Sequence, residues 1–223
     1  MWTVDHDDDF GLIAVSGKRN LIAWTVIDPE LKPSENWQLA FVRPTRRYVA
    51  EVIYEGGVPR LSGKREVMAT LPPECAFIEP QDFRDGDREL VYSCMGPLAR
   101  GLSISVMGTD LASGISKTYY RKTGEYAEVE GIAPDGSWTA VECGKQEKQG
   151  LPPLDICRLE LRENGELSLL VRGTTPGSSI DICNPVVSPD GRWLAFQRSD
   201  AMNGEIGEGY GLYLMPLPVK GSA

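Results

Sequence analysis

Histidine is almost absent from this chain. The one present, His6, lies in the acidic run Asp5-His6-Asp7-Asp8-Asp9. Multi-histidine metal sites are thereby excluded, and a Ser-His or Cys-His hydrolase would depend on a residue of a fraying terminus. The aspartate run lacks the alternating ligand spacing and the glycine of a calcium loop, so it reads as a solvated acidic end. The five cysteines, Cys75, Cys94, Cys143, Cys157 and Cys183, are odd in number and include no C-x-x-C pair. They sit in or beside apolar runs, so buried free thiols are expected rather than a disulfide framework or a zinc knuckle. Absent too are G-x-S-x-G, G-x-x-x-x-G-K-[ST] and a G-x-G-x-x-G that follows a strand. Gly207-Glu208-Gly209-Tyr210-Gly211 is glycine-rich without the strand-turn-helix setting of a phosphate loop. The expectation is therefore no catalytic set, no metal and no cofactor.

Long apolar runs are missing as well. None approaches the ~18 residues of a membrane helix, and residues 1–10 are acidic where a secretory leader is basic and then apolar. As it stands the sequence predicts no membrane insertion and no export signal; a periplasmic or secreted protein is expected if residues precede it. Basic residues are outnumbered, 23 Lys and Arg against 32 Asp and Glu, for a net charge of −9. That field repels phosphate backbones, so no nucleic-acid partner is expected.

Turn residues are abundant, with 24 glycines and 16 prolines in 223 residues and no low-complexity tract. This favours short strands over long helices. The turns repeat. Ala133-Pro134-Asp135-Gly136 leads into Ser137-Trp138-Thr139-Ala140-Val141-Glu142, and Ser188-Pro189-Asp190-Gly191 leads into Arg192-Trp193-Leu194-Ala195-Phe196-Gln197, without a gap between the two copies. Proline sets the turn, Asp-Gly supplies its positive-φ corner, and a β-rich run follows. A third copy is Arg84-Asp85-Gly86 before Asp87 to Tyr92. The glycines at 86, 136 and 191 are 50 and 55 residues apart, and further strand-like runs follow each: Leu102 to Met107, Asp155 to Leu161, and Leu212 to Leu217. Outer strands are expected at Ile115 to Tyr120 and Leu167 to Val171. An earlier, worn copy spans Gly11 to Val15, a turn at Gly17, Leu21 to Val26, Gln38 to Val42 and Val49 to Tyr54, with residues 56–70 as loop or an added strand.

Four strands in a unit of about 50 residues make a propeller blade. The expected fold is all-β: a β-propeller of four-stranded antiparallel blades, four to five in number. Residues 1–223 form one domain with repeat units at about 10–70, 75–124, 126–173 and 180–217. The last unit ends without an outer strand. Either an N-terminal strand closes a small ring, or the chain is a fragment of a longer one, or its open blade edges pair with a partner or with a second copy.

The repeated S/A-P-D-G-x-W-x-A turn, with the strand Tyr210-Gly211-Leu212-Tyr213-Leu214-Met215, resembles the WD-repeat-like blades of TolB-type propellers, found also in prolyl-oligopeptidase-like enzymes. The resemblance covers residues 75–217 or so. Tyr126 to Ile132, Val141 to Cys143, Asn184 to Ser188 and Ala195 to Gln197 look like exported bacterial propellers of unassigned function. Such a likeness speaks to fold far more than to activity. The family implies protein binding, occlusion of a peptidase site, or, in the oligogalacturonate-lyase branch, cleavage of acidic polysaccharide by metal-bound histidines. No histidine lies in any expected blade, so lyase chemistry does not carry over, and residues 1–223 are not expected to include the hydrolase domain that a peptidase needs.

In an antiparallel blade the start of the first strand and the end of the second emerge at one end, beside the channel and the longer loops. Ligand-binding residues are expected there: Glu79, Gln81, Glu128, Glu130 and Asn184 at first strands, Glu142, Gln197 and Arg198 at second strands, and Lys145 and Gln146 in the loop that follows. These carboxylates and amides suit a cation or a hydroxyl-rich ligand, or else solvate a channel mouth. Trp138 and Trp193, at identical repeat positions, are expected to share a packing role. Arg43, Arg46, Arg47, Arg60, Lys64 and Arg65 give residues 43–66 a local positive excess, expected on solvated strand edges. The predicted function is a non-catalytic binding module for a protein, peptide or glycan. The alternative is a carbohydrate-active enzyme, lyase or glycosidase-like, with acid and base drawn from a pair such as Glu130 and Glu142.

Overall fold

Three Asp-Gly corners organise the chain. In a computed structural model, Gly86, Gly136 and Gly191 take φ of 64°, 68° and 70°, a left-handed conformation that a side chain would strain. The aspartate of the two full copies locks its own turn. Asp135 Oδ1 accepts from the Ser137 amide at 3.0 Å and hydroxyl at 2.7 Å, and Asp190 Oδ1 from the Arg192 amide at 3.1 Å and the Ser188 hydroxyl at 2.6 Å. Each corner joins two antiparallel strands: β5 (Phe77–Arg84) to β6 (Glu89–Met95), β9 (Glu125–Ile132) to β10 (Trp138–Lys145), and β13 (Ile180–Val187) to β14 (Trp193–Asp200).

The structure describes residues 10–16, 20–27, 45–96, 103–145, 154–173, 180–200 and 209–218. Among them there is no helix, and the strands form four antiparallel sheets. The first comprises β1 (Phe10–Val15), β2 (Leu21–Ile27), β3 (Thr45–Glu55) and β4 (Val58–Glu66). The second runs β5, β6, β7 (Ile104–Asp110), β8 (Ser116–Tyr120), and the third β9, β10, β11 (Asp155–Glu160), β12 (Leu167–Val171). The fourth has three strands, β13, β14 and β15 (Gly209–Pro216). Of the two readings of residues 56–70, the added strand holds: β4 completes the first sheet across a turn at Gly56 and Gly57. The expected strand at 38–42 and the Gly17 turn lie outside the described residues.

A β-bulge recurs where the first strand of each sheet meets the second. The register slips between Phe10 and Ile13, Pro80 and Asp82, Val129 and Gly131, and Cys183 and Val186, the extra residue falling on the first strand each time. Such a bulge bends its strand and re-aims a side chain. In β5 the extra residue is Gln81, and in β9 it is Glu130.

Residues 1–103 with 107–117 form one compact unit, and 104–106 with 118–223 form another. In the first unit Ala14, Ala23, Val49, Ile78, Phe83, Leu90, Tyr92 and Met107 share a core. The fully buried Tyr92 hydroxyl bonds Thr109 Oγ1 at 3.0 Å, which meets Ser116 Oγ at 2.8 Å, so the tyrosine is buried with its polar end satisfied. Arg47 departs from the solvated edge expected of it. It is 4% exposed, and its guanidinium donates to the carbonyls of Met68 and Ala69, because the chain after β4 folds over it. Arg46, Arg60, Lys64 and Arg65 are exposed, and Arg43 lies outside the described residues. In the second unit Trp138, Ala140 and Ile156 of the third sheet pack against Ile182, Leu194 and Phe196 of the fourth.

The cysteines correct the sequence reading. Cys75 is bonded to Cys94 and Cys143 to Cys157, leaving Cys183 free. The first bond ties the segment before β5 to β6, and the second ties neighbouring strands β10 and β11. Odd number and missing C-x-x-C spacing do not exclude pairs that antiparallel neighbours bring within reach, with Cα atoms 5.3 and 5.9 Å apart.

Candidate functional site

The third sheet gathers three carboxylates at the end expected to bind. Register puts Glu128 of β9 directly opposite Glu142 of β10, where cross-strand side chains meet. Glu130, the extra residue of the bulge, joins them. Each of the three offers a carboxylate oxygen, and these oxygens lie within 4.8 Å of one another. Glu128 and Glu130 are half-buried and Glu142 is 6% exposed.

Like charges this close oppose joint ionisation, and burial adds to the cost. Glu142 shows both effects: its pKa is pushed up to about 8, first by desolvation and further by the charges of Glu128 and Asp181, against the lowering effect of a hydrogen bond from the Asn184 amide. That amide donates to Glu142 Oε1 at 2.7 Å. Asn184 stands at φ 53°, inside the β13 bulge, which turns its N–H toward the neighbouring sheet. Its side-chain amide donates to Gln197 Oε1 at 3.3 Å. Tyr126 donates its hydroxyl to Glu128 Oε2, and burial beside Glu128 raises the tyrosine pKa well above its ordinary value. Asp181 accepts from the Leu154 amide at 2.7 Å, and burial raises its pKa too.

Of the expected residues, then, Glu128, Glu130, Glu142, Asn184 and Gln197 come together. Lys145 is exposed at the end of β10, opposite Glu125. The Arg198 guanidinium lies over the Tyr213 ring, 5.1 Å from its centroid. Glu79 stands opposite Ser93 in the second sheet, with Gln81 beside it in the bulge. Gln146 and the aspartate run at 5–9 lie outside the described residues. Tyr126 and Asp181 were missed. Tyr126 was findable, since side chains two apart on a strand share a face and it precedes Glu128 by two. Asp181 carried no such signal. Trp138 packs as expected, with the Arg158 guanidinium 4.6 Å from its ring centroid, but the shared role does not hold, since Trp193 is 44% exposed.

Three carboxylates with acceptor oxygens so close suit a hard cation, an ammonium or guanidinium group, or the hydroxyls of a sugar.

No family model matches the chain, and no curated protein does. Solved structures do. A TolB-named protein of Agrobacterium tumefaciens matches at 15% identity and a TM-score of 0.56, over 95% of this chain and 61% of that one. An oligogalacturonate lyase of Vibrio parahaemolyticus matches at 11% identity and 0.53, over 97% of this chain and 55% of that one. The fold is that of a TolB-type β-propeller. Prolyl oligopeptidase B of Galerina marginata, at 8% identity and 0.52, shares it over 86% of this chain and 25% of its own. The propeller described here thus spans 61% or less of the length of these relatives. Its neighbours include a TolB-named protein, a lyase and a peptidase, so the fold is shared across different activities.

Proposed function

We propose that this propeller is a non-catalytic binding module that receives a protein, peptide or glycan partner at the end of the third sheet, on Glu128, Glu130 and Glu142, with Asn184 and Gln197 at the rim. The convergence of three carboxylate oxygens within 4.8 Å carries the reading. Acceptors of like charge brought this close are relieved by a donor-rich or cationic group. A peptide that presents lysine or arginine supplies one. The test is a thermal-shift panel of lysine- and arginine-containing peptides, acidic peptides and neutral oligosaccharides. A rise in melting temperature with one class supports the module, since a ligand preferring the native state stabilises it by mass action. No rise with any class of a sharply melting protein contradicts it.

One observation favours the enzyme reading: Glu142, at about 8, has the raised pKa of a general acid. Its setting argues for binding. It is 6% exposed and its Oε1 is held by Asn184; the carboxylate oxygens, within 4.8 Å, are too close for the roughly 6.5–9.5 Å of an inverting pair and nearer the roughly 5–5.5 Å of a retaining one. Turnover of an acidic or neutral oligosaccharide that is lost in Glu142→Gln would reverse this preference.

A further inference from the structure

The repeat allows the fourth sheet to be compared with the third position by position. Trp138 and Trp193, Ala140 and Ala195, Glu142 and Gln197 hold equivalent places after Gly136 and Gly191. In the third sheet that face is buried, with Trp138 at 6%, Ala140 at 0% and Glu142 at 6%, because the fourth sheet lies on it. In the fourth sheet the same face is bare: Trp193 is 44% exposed, Val186 57%, Leu212 84% and Leu214 72%. Register sets these side by side, Val186 and Leu214 on either side of Ala195, Leu212 opposite Gln197, and Trp193 opposite Pro216. The other face of the same sheet is occupied, as Leu194, Phe196, Tyr213 and Met215 belong to the core shared with the third sheet.

Among the described residues the fourth sheet has three strands where each of the others has four. Among the described residues no strand pairs with the outer edge of β15, whose sequence, GYGLYLMP, contains no charge. Lysines and inward charges ordinarily guard such an edge against pairing with another chain.

We infer that this face and edge form a self-association surface, on which a second copy of the chain seats its own fourth sheet about a two-fold axis. The exposed apolar residues offer on the order of 500 Å² on each copy, so two copies reach the ~1,000 Å² that a specific interface needs. Charge selects the same occupant. Two chains of net charge −9 repel across most of their surfaces but meet here without opposing like charges. Laid on itself face to face about a two-fold, the surface is self-complementary: the leucine pair of one copy comes onto that of the other, and the partner shields the adjoining β15 edge from solvent.

The test is sedimentation equilibrium of the full chain, with hydrogen exchange over β15. The wild type is expected to rise from the monomer mass of 24.5 kDa toward twice that value with concentration. The β15 amides should become protected in step. The variant Leu212→Glu/Leu214→Glu should require at least a tenfold higher concentration to associate, with the melting temperature of dilute, monomeric wild type, because both side chains are exposed in the monomer. A wild type that stays monomeric overturns the inference. Slow β15 exchange in that monomer would mean that another segment of the same chain covers the edge, and fast exchange that nothing does. A dimer unaffected by the two substitutions overturns it as well.

Discussion

Replacing Glu142 by glutamine removes a titration while keeping the shape of the side chain and the oxygen that accepts from Asn184. In the folded chain the Glu142 pKa is about 8, set first by desolvation. In the unfolded chain a glutamate titrates near ~4.3. Below the unfolded value both states hold the proton, and the group leaves stability unchanged. Between the two values the folded state keeps a proton that the unfolded state has released, so stability falls as pH rises, by about 1.4 kcal/mol per unit. Above pH 8 or so the loss is complete and the curve levels. The window corresponds to roughly 5 kcal/mol, a large part of a typical domain's stability. Urea denaturation of wild type and Glu142→Gln at one-unit steps from pH 4 to 9 reads this directly, since other titrating groups largely cancel in the difference. The two proteins should be about equally stable at pH 4, with the variant gaining steadily to a plateau near pH 9. A difference that does not vary with pH would refute the argument that burial and neighbouring charge hold this carboxyl protonated.

Other predictions follow from the disulfides, the tryptophan pair and one glycine. Thiol titration of the denatured, unreduced chain should find only Cys183, and all five cysteines if the sequence reading of free thiols were right. Cys143→Ala/Cys157→Ala opens a loop of 14 residues and should cost about 3 kcal/mol in a urea melt; an unchanged midpoint would contradict the bond. Trp138→Ala removes a side chain 6% exposed and should cost about 3–5 kcal/mol. Its repeat equivalent Trp193→Ala, at 44% exposure, should cost less than half of that in dilute protein, and equal losses would deny the comparison of the two sheets. A Cβ at Gly131 would stand 2.8 Å from the Pro185 carbonyl oxygen and 3.2 Å from Val186 Cα. Both are backbone atoms of the adjoining sheet, so Gly131→Ala should lose about 1–3 kcal/mol; a neutral result would show that these sheets do not meet as closely as described.

Much of the fold was legible in the sequence because its signals are local. Asp-Gly corners followed by β-rich runs declare a hairpin, and three spaced about 50 residues apart declare a repeated sheet. The bulges were not legible, since they arise from how one strand must bend to follow its neighbour. Glu130 illustrates the result: spacing alone puts it on one face with Glu128, but its place as the unpaired residue of the bulge near Glu142 shows only in the register of β9 and β10. The disulfides stayed hidden for a related reason. Cys143 and Cys157 lie within apolar strands and become partners only through the register of β10 and β11. Arg47 reads as one of several strand-edge cations until the chain beyond β4 closes over it. Asp181 acts on Glu142 from a different sheet, and no spacing in the sequence connects the two.

The proposed binding function is tested most directly by calorimetric titration of the wild type and of Glu128→Gln/Glu130→Gln with short lysine- and arginine-containing peptides at pH 7. A charge-assisted hydrogen bond contributes about 1.5–3 kcal/mol, so the double substitution should weaken binding by at least tenfold while the melting temperature holds. Peptides that bind both proteins equally, or neither, would contradict the assignment of the carboxylate cluster as the binding site.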